Sequence, residues 1–139
     1  MIVNERITAY INSLDRGNGS LCDEVEEEAV SSYVPIIRKE TSALLKTLVA
    51  MKRPERILDV GTAVGYSARL MSRVMPENCQ ITTIEKYEKR IPIAKENVIR
   101  AGEEERITLL EGDAEEILGS LSGPYDFIFM DAAKGQYLH

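Results

Sequence analysis

Four short runs of apolar, β-branched and aromatic residues recur along the last two-thirds of the chain, and amphipathic segments separate them. The runs are RILDV (56–60), QITTIE (80–85), RITLLEG (106–112) and YDFIFMD (125–131). Strands that alternate with helices at this spacing form βαβ units with right-handed crossovers and a parallel sheet. The alternation therefore predicts a doubly wound α/β core.

Helical patterns occupy the segments between these runs. They are YSARLMSRVM (66–75), YEKRIPIAKENVIRAG (87–102) and DAEEILGSL (113–121). Together with the loops that flank them, they form the crossover connections that parallel strands require. We expect one helix in each segment.

The N-terminal part of the chain predicts helices alone. Ile7, Ile11 and Leu14 recur at helical intervals before DRGNGS breaks the pattern. A second helix is predicted from Asp23 to about Tyr33, and a third begins after Pro35. We predict a helical cap over 1–53 and the first part of the α/β region over 54–139, within a single domain.

Composition excludes several classes of function. The single histidine is His139, so serine–histidine or cysteine–histidine catalysis and a histidine-rich metal site are excluded. Cys22 and Cys79 are too few to define a disulfide framework or a thiolate metal site. No apolar run is long enough to span a membrane, and the first residues lack a signal-peptide pattern. We expect a cytoplasmic protein with no membrane partner.

Small and polar residues follow each predicted strand. In open parallel sheets, ligands bind beyond the carboxyl ends of the strands. Gly61 and Gly65, after the first strand, allow the backbone to approach a ligand closely. Glu85 ends the second strand 20 residues after Gly65, the offset of an acid that binds ribose hydroxyls. The pattern predicts a nucleotide-like cofactor.

The charge beside the glycine loop favours one kind of cofactor. The dinucleotide pattern G-x-G-x-x-G is absent, because position 63 is Ala and the glycine spacing differs. Asp59 would repel a pyrophosphate but would suit a cationic ligand without phosphate. This favours S-adenosylmethionine. A nicotinamide-dependent dehydrogenase is the alternative, and binding of NAD would support it.

LDVGTAVGYS (58–67), Glu85, EGDA (111–114) and YDFIFMDAAKGQY (125–137) together resemble the metal-dependent class I O-methyltransferases. Catechol and caffeoyl-CoA O-methyltransferases typify that family, and the resemblance runs from about Val34 to the C-terminus. It implies a Rossmann-like fold with strand order 3-2-1-4. The residues that it implies for the cofactor site are Asp59, Gly61, Gly65, Tyr66 and Ser67 for the methionine part, Glu85 for the ribose, Asp113 and Ala114 for the adenine, and Asp131 at the reacting end.

The resemblance also implies a chemistry. A phenol-like hydroxyl titrates near roughly pH 10 and is a poor nucleophile at neutrality. A bound Mg²⁺ or other divalent metal lowers that pKa, and Asp131 matches the family's first metal ligand. Lys134 matches the catalytic lysine, which takes the proton or neutralises charge.

Two segments suggest the methyl acceptor. VPIIRKET (34–41) and DAAKGQY (131–137) resemble the bacterial branch that methylates 5-hydroxyuridine in tRNA to 5-methoxyuridine. The candidate phosphate contacts are Arg38, Lys39, Lys52, Arg53 and Arg56. The net charge of −6 argues against a tRNA partner. The alternatives are a small catechol or other phenolic acceptor, and an inactive fragment that only binds cofactor.

The family completes its metal site with an Asp–Asn pair at the end of the next strand, and the sequence stops eight residues after the fourth run. We therefore expect a C-terminally truncated chain that binds metal weakly and turns over poorly. An open apolar strand edge invites pairing, so we also expect a homodimer.

Overall fold

A computed structural model of the protein describes residues 4–132 and contains a four-stranded parallel sheet. The strands are β1 (Arg56–Val60), β2 (Gln80–Glu85), β3 (Ile107–Glu111) and β4 (Phe127–Met130). Their order is β3-β2-β1-β4, which confirms the predicted α/β fold and its strand order. The order reverses between β2 and β4, on either side of β1, and ligands of open α/β sheets bind at such a reversal.

The register of the sheet sets the carboxyl ends of the central strands level with one another. Val60 of β1 pairs with Ile84 of β2 and with Met130 of β4. Glu85 of β2 is level with Glu111 of β3. The residues that follow these strands therefore meet at one edge of the sheet.

Six helices surround the sheet within residues 4–132. They are α1 (Glu5–Ser13), α2 (Ser20–Ser31), α3 (Lys39–Lys52), α4 (Tyr66–Ser72), α5 (Ile91–Arg100) and α6 (Ala114–Leu118). Each of the predicted helical segments contains one of them.

The bounds of two helices differ from those predicted. Helix α2 begins at Ser20 and not at Asp23, since Gly19 precedes it as the N-cap, and it ends before Tyr33, whose φ of 55° is left-handed. Helix α5 begins at Ile91 and not near residue 87, because Pro92 lacks an N–H and is tolerated only in a first helical turn.

The main core lies between one face of the sheet and helices α3, α4 and α5. Ile57 and Ile81 of the sheet are buried there against Val49 of α3, Leu70 of α4 and Val98 of α5. A second cluster on the opposite face packs β1 and β2 against α6. No residue of α1 belongs to either cluster, so its apolar pattern does not contribute to them.

The N-terminal helices pack onto the region that follows β1. Cys22, Val25 and Ala29 of α2 form a buried cluster with Val64 and Tyr66. Both cysteines are free thiols, and burial raises the pKa of Cys79 to about 11. Among residues 4–132, no helix is both long and apolar enough to cross a bilayer.

Candidate functional site

A cleft of about 910 Å³ opens at the carboxyl ends of β1, β2 and β4. This size is within the range of cofactor and small-molecule sites. The lining comes from residues 35–37, 60–63, 66–67, 84–90, 112, 114 and 131–132. The cleft therefore lies where the order of the strands reverses.

The turn after β1 is tight and depends on glycine. Gly61 has a φ of 106°, and a Cβ there would lie 2.5 Å from the carbonyl oxygen of Asp131. The N–H of Gly65 donates to the carbonyl of Thr62 over 2.8 Å, at a φ of 85°. Ala63, between them, also adopts a positive φ. These conformations bring the backbone of the turn to the cleft wall.

Glu85 is held at the cleft by backbone groups from two loops. Its Oε2 accepts the N–H of Ala63 over 2.7 Å. Its Oε1 accepts the N–H groups of Lys86 and Tyr87 over 3.0 Å and 2.8 Å. The carboxylate is only 8% exposed, so its position is fixed. Because a carboxylate oxygen has two acceptor positions, Oε2 retains one for a ligand hydroxyl.

Asp59 lies beneath the cleft wall. It is fully buried, and its Oδ2 accepts hydrogen bonds from Ser67 Oγ over 3.0 Å and Thr83 Oγ1 over 2.9 Å. Its Oδ1 has no hydrogen-bond partner within residues 4–132. Burial raises the pKa of Asp59 to about 7; the two hydroxyl bonds lower it in part, and the charges of Asp131 and Glu85 raise it further. Asp59 reaches the cleft surface through Ser67, which lines it.

Thr62 and Thr83 extend this buried network, and sequence reasoning missed both. Their hydroxyl oxygens lie 2.5 Å apart, and Thr83 also bonds Asp59. A threonine within a β-branched strand carries no sequence signal of its own. Reading β2 for the polar side chain that faces Asp59 across the β1–β2 pair could have found Thr83, since the two residues are in register.

Ala114 lines the cleft, whereas the Asp113 side chain stabilises the structure beside it. Ala114 and the preceding Gly112 line the cleft. The Asp113 side chain caps α6 by accepting the N–H of Glu115 over 3.0 Å, and it pairs with Lys86 Nζ at 2.6 Å. The hydrogen bond to Asp113 raises the pKa of Lys86. The ion pair joins the loops after β2 and β3 beside the cleft.

One wall of the cleft comes from Pro35, Ile36 and Ile37, between α2 and α3. Sequence reasoning placed no site residue there, because an apolar segment before a helix is equally typical of ordinary core packing. Tyr66 and Ser67, at the start of α4, also line the cleft, and Ile36 and Ile37 pack against the buried cluster that contains Tyr66. The predicted residues Gly61, Tyr66, Ser67, Glu85, Ala114 and Asp131 therefore meet at one cleft, with Asp59 beneath it, Gly65 against α5 and Asp113 beside it.

Asp131 lies at the end of β4, where its N–H donates to the carbonyl of Val60 over 2.9 Å. Asp131 lines the cleft, and its carboxylate could supply one oxygen ligand to a metal. However, residues 4–132 contain no group of three His, Cys, Asp or Glu side chains placed to hold a metal ion. These residues alone do not suffice for a metal centre. Lys134 lies outside the described residues, so its role stays a prediction.

Comparison with known proteins gives a family and several close folds. A family model described as O-methyltransferase matches residues 13–139. A catechol O-methyltransferase of Niastella koreensis is 36% identical over 97 residues, which are 67% of this chain and 44% of that protein. A caffeoyl-CoA O-methyltransferase of Populus kitakamiensis is 27% identical over 153 residues, covering 100% of this chain and 64% of its own.

Nearly the whole of this chain matches part of a solved methyltransferase structure. The SAH-bound methyltransferase of Podospora anserina superimposes with a TM-score of 0.89 at 28% identity. The match covers 96% of this chain and 58% of that one. The chain spans about half the length of the curated relatives that it matches.

Proposed function

This chain belongs to the O-methyltransferase family, and from that premise we propose that its cleft binds S-adenosylmethionine for methyl transfer to an acidic hydroxyl. The main support for the proposal is the way in which backbone groups hold the carboxylate of Glu85. Its carboxylate is fixed beside the glycine turn, with one acceptor position of Oε2 not used by the three backbone N–H groups. That arrangement suits a ribose hydroxyl.

The carboxylates beside the glycine turn support a cationic group there, although Lys86, Lys89 and Arg90 also line the cleft. Asp59, Glu85 and Asp131 lie in or beneath its wall, and the sulfonium and amino groups of S-adenosylmethionine are positive. The negative charge of a pyrophosphate would be repelled by these carboxylates. We assign the methionine part to the turn over 61–67, the ribose to Glu85 and the adenine to the side of Gly112 and Ala114.

The proposed reaction is an in-line displacement. The acceptor oxygen forms a bond to the methyl carbon as the bond from that carbon to sulfur breaks, which gives a methyl ether and S-adenosylhomocysteine. The hydroxyl proton must leave, and we propose Lys134 as its acceptor. A divalent metal, when bound, would lower the pKa of the hydroxyl. Of the described residues, Asp131 is the one we propose as a ligand.

Two acceptors are proposed, and charge favours the small one. Lys39 lies 3.8 Å from carboxylate oxygens of both Asp15 and Glu26, and Arg56 stacks 4.6 Å from the Tyr125 ring. Two of the five candidate phosphate contacts are thus engaged within the chain. We therefore propose a small catechol-like hydroxyl as the first acceptor, while 5-hydroxyuridine in tRNA, the acceptor predicted from the sequence, stays a second proposal. Methylation of a tRNA carrying 5-hydroxyuridine, with steep salt dependence, would reverse this order.

Calorimetric titration with S-adenosylmethionine tests the cofactor proposal. We expect binding by the 139-residue chain, and a loss of affinity of about tenfold or more in Glu85→Gln, whose amide cannot accept all three N–H groups. Glu111→Gln is the matched control, because Glu111 lies level with Glu85 on the neighbouring strand and is half-exposed. Absence of binding by the unaltered chain, or equal losses in both variants, would contradict the proposal.

A turnover assay separates an enzyme from a fragment that only binds cofactor. The chain is mixed with S-adenosylmethionine, Mg²⁺ and catechol, and formation of S-adenosylhomocysteine is followed. Binding without product would support the cofactor-binding alternative for this chain. Product formation would extend the proposal to the full reaction.

A further inference from the structure

The side of the glycine turn that faces away from the cleft is held by α5. Asn97 of α5 is 5% exposed, and its Nδ2 donates to the carbonyl oxygen of Val64 over 2.8 Å. The next residue, Gly65, lies against the backbone of the same helix, with an ideal Cβ position 3.6 Å from the carbonyl of Ala94. The turn therefore has a fixed support on its far side.

A second contact sets the orientation of the Asn97 amide. Arg100 Nη1 donates to Asn97 Oδ1 over 3.2 Å. A guanidinium only donates and a carbonyl only accepts, so the NH₂ group of Asn97 must face Val64. Arg100 also pairs with Glu24 and Glu28 of α2, at 3.0 Å and 3.3 Å. A chain of polar contacts thus runs from α2 through α5 to the glycine turn.

The supported group is one rigid peptide unit. The carbonyl of Val64 and the N–H of Gly65 belong to the same planar amide. Asn97 binds the carbonyl, and the carbonyl of Thr62 accepts the N–H over 2.8 Å. With both ends bound, the plane cannot rotate without losing a hydrogen bond. Tyr66 and Ser67, which line the cleft, follow directly.

We infer that Asn97 is a positioning residue for the methionine part of the cofactor, which it serves by fixing the Val64–Gly65 peptide without touching the ligand. The inference rests on the proposed function, because it assumes S-adenosylmethionine in this cleft. The nucleoside part is assigned to Glu85 and to residues 112–114, whereas the side-chain hydrogen bonds of Asn97 within residues 4–132 go to Val64 and Arg100. The effect of Asn97 should therefore fall on one end of the cofactor.

Asn97→Asp tests this with almost no change of shape. The carboxylate still accepts from Arg100, but it has no N–H for the buried carbonyl of Val64 and repels it. We expect the Kd for S-adenosylhomocysteine to rise about tenfold or more. The Kd for 5′-methylthioadenosine, which lacks the amino-acid part, should change less than about twofold, within the range of surface substitutions.

Val98→Ala is the control for a general loss of stability. Val98 is the next residue of α5, is 8% exposed and packs in the main core away from the turn. It should lower the unfolding temperature while affecting both ligands equally. Equal weakening of both ligands in Asn97→Asp as well would show a merely structural role and overturn the inference.

Amide hydrogen exchange of the ligand-free chain gives a reading independent of the cofactor. Asn97→Asp should speed exchange at the Gly65 N–H about tenfold or more relative to core amides, whereas Val98→Ala should not. Unchanged exchange together with unchanged affinity for S-adenosylhomocysteine would overturn the inference. If the unaltered chain bound neither ligand, the proposed function would fail and the assigned role of Asn97 in cofactor binding with it. Faster exchange at Gly65 would then still show that Asn97 holds the turn.

Discussion

The carboxyl group of Asp59 couples the stability of the protein to pH. Burial raises its pKa from 3.8 to about 7 in the folded chain. An unfolded chain lacks that burial, so between these two values the folded state binds more protons than the unfolded state. Its contribution to the unfolding free energy is then largest at low pH and decreases as pH rises from about 4 to 7.

We expect Asp59→Asn to remove this contribution. As pH rises from 4 to 8, the unfolding free energy of the variant minus that of the unaltered chain should increase by up to about 4 kcal/mol. The size follows from the pKa shift, since one pKa unit corresponds to about 1.4 kcal/mol. Urea unfolding at several pH values measures it. Parallel pH profiles for the two proteins would contradict the prediction.

Asp126→Asn is a control with the opposite sign. Burial acts to raise the pKa of Asp126, but the backbone N–H groups of Glu55 and Arg56 outweigh it, and the pKa is lowered. Because the lowered pKa lies below the ordinary 3.8, the variant should lose stability relative to the unaltered chain as pH rises toward about 4, and the two profiles should run nearly parallel from there to pH 8. An identical trend in both variants would indicate a general effect of losing one negative charge.

Individual site residues were predictable where a strand end marked them. Gly61, Ser67 and Glu85 follow β1 or end β2, and the structure brings them to one cleft. Thr83 could be found only from its register opposite Asp59, and Asn97 was not predictable, because its side-chain hydrogen bond reaches a distant part of the chain. Such bonds depend on the packing of α5 and β2 against the turn, which periodicity does not encode.

At the scale of elements, the turn between β1 and α4 depends on Gly61. A Cβ at this position would clash with the backbone of Asp131 at a φ of 106°. We expect Gly61→Ala to lower the unfolding free energy by about 2–4 kcal/mol through strain and overpacking. It should also weaken binding of S-adenosylhomocysteine, because β1 and β4 must separate at the cleft.

Gly102→Ala is the control that separates the cost of a positive φ from the cost of the steric clash at Gly61. Gly102 also has a positive φ, of 64°, but within residues 4–132 no atom beyond its chain neighbours lies within 4 Å of its ideal Cβ position. This variant should lose only about 1 kcal/mol and should keep its affinity. Chemical denaturation and calorimetry of the two variants measure both effects, and equal losses would exclude the contact between β1 and β4 as the cause.

The order of the elements followed from the sequence more reliably than their bounds. Alternating strands and helices predicted the parallel sheet, and the short connections restricted its topology. The start of α5 was wrong by about a turn, because tyrosine and the charged residues over 87–90 suit a helix as well as the turn they form. Helix α6 is only five residues long, since the chain must turn back early to reach β4.

At the scale of the whole molecule, we expect the chain to self-associate through β4. Within residues 4–132, β4 pairs only with β1, and its Ile128 and Met130 are 57% and 45% exposed. Sedimentation velocity should show a dimer. Ile128→Lys should shift it to monomer, because a charge at a strand edge disfavours pairing.

Ile99→Lys is the matched control for that experiment. Ile99 on α5 is 62% exposed, so the same substitution makes a similar change of charge and apolar surface, but on a helix that contacts β3, at the opposite edge of the sheet from β4. It should leave the dimer intact. A monomeric unaltered chain at its highest soluble concentration would contradict the prediction, as would equal dissociation of both variants.

Residues 35–37 line the cleft although they precede the predicted boundary at 53 and 54. A chimera joined at that boundary would inherit two walls of one binding site from different parents. Exchange of the α/β region alone between relatives should therefore often yield folded proteins with impaired cofactor sites. Hybrids joined before residue 34 would keep both walls from one ancestor, although α2 would then meet a foreign Tyr66. The segment that must be exchanged as a whole to keep the cleft therefore begins before residue 35, whereas the α/β region predicted from the strand pattern begins at residue 54.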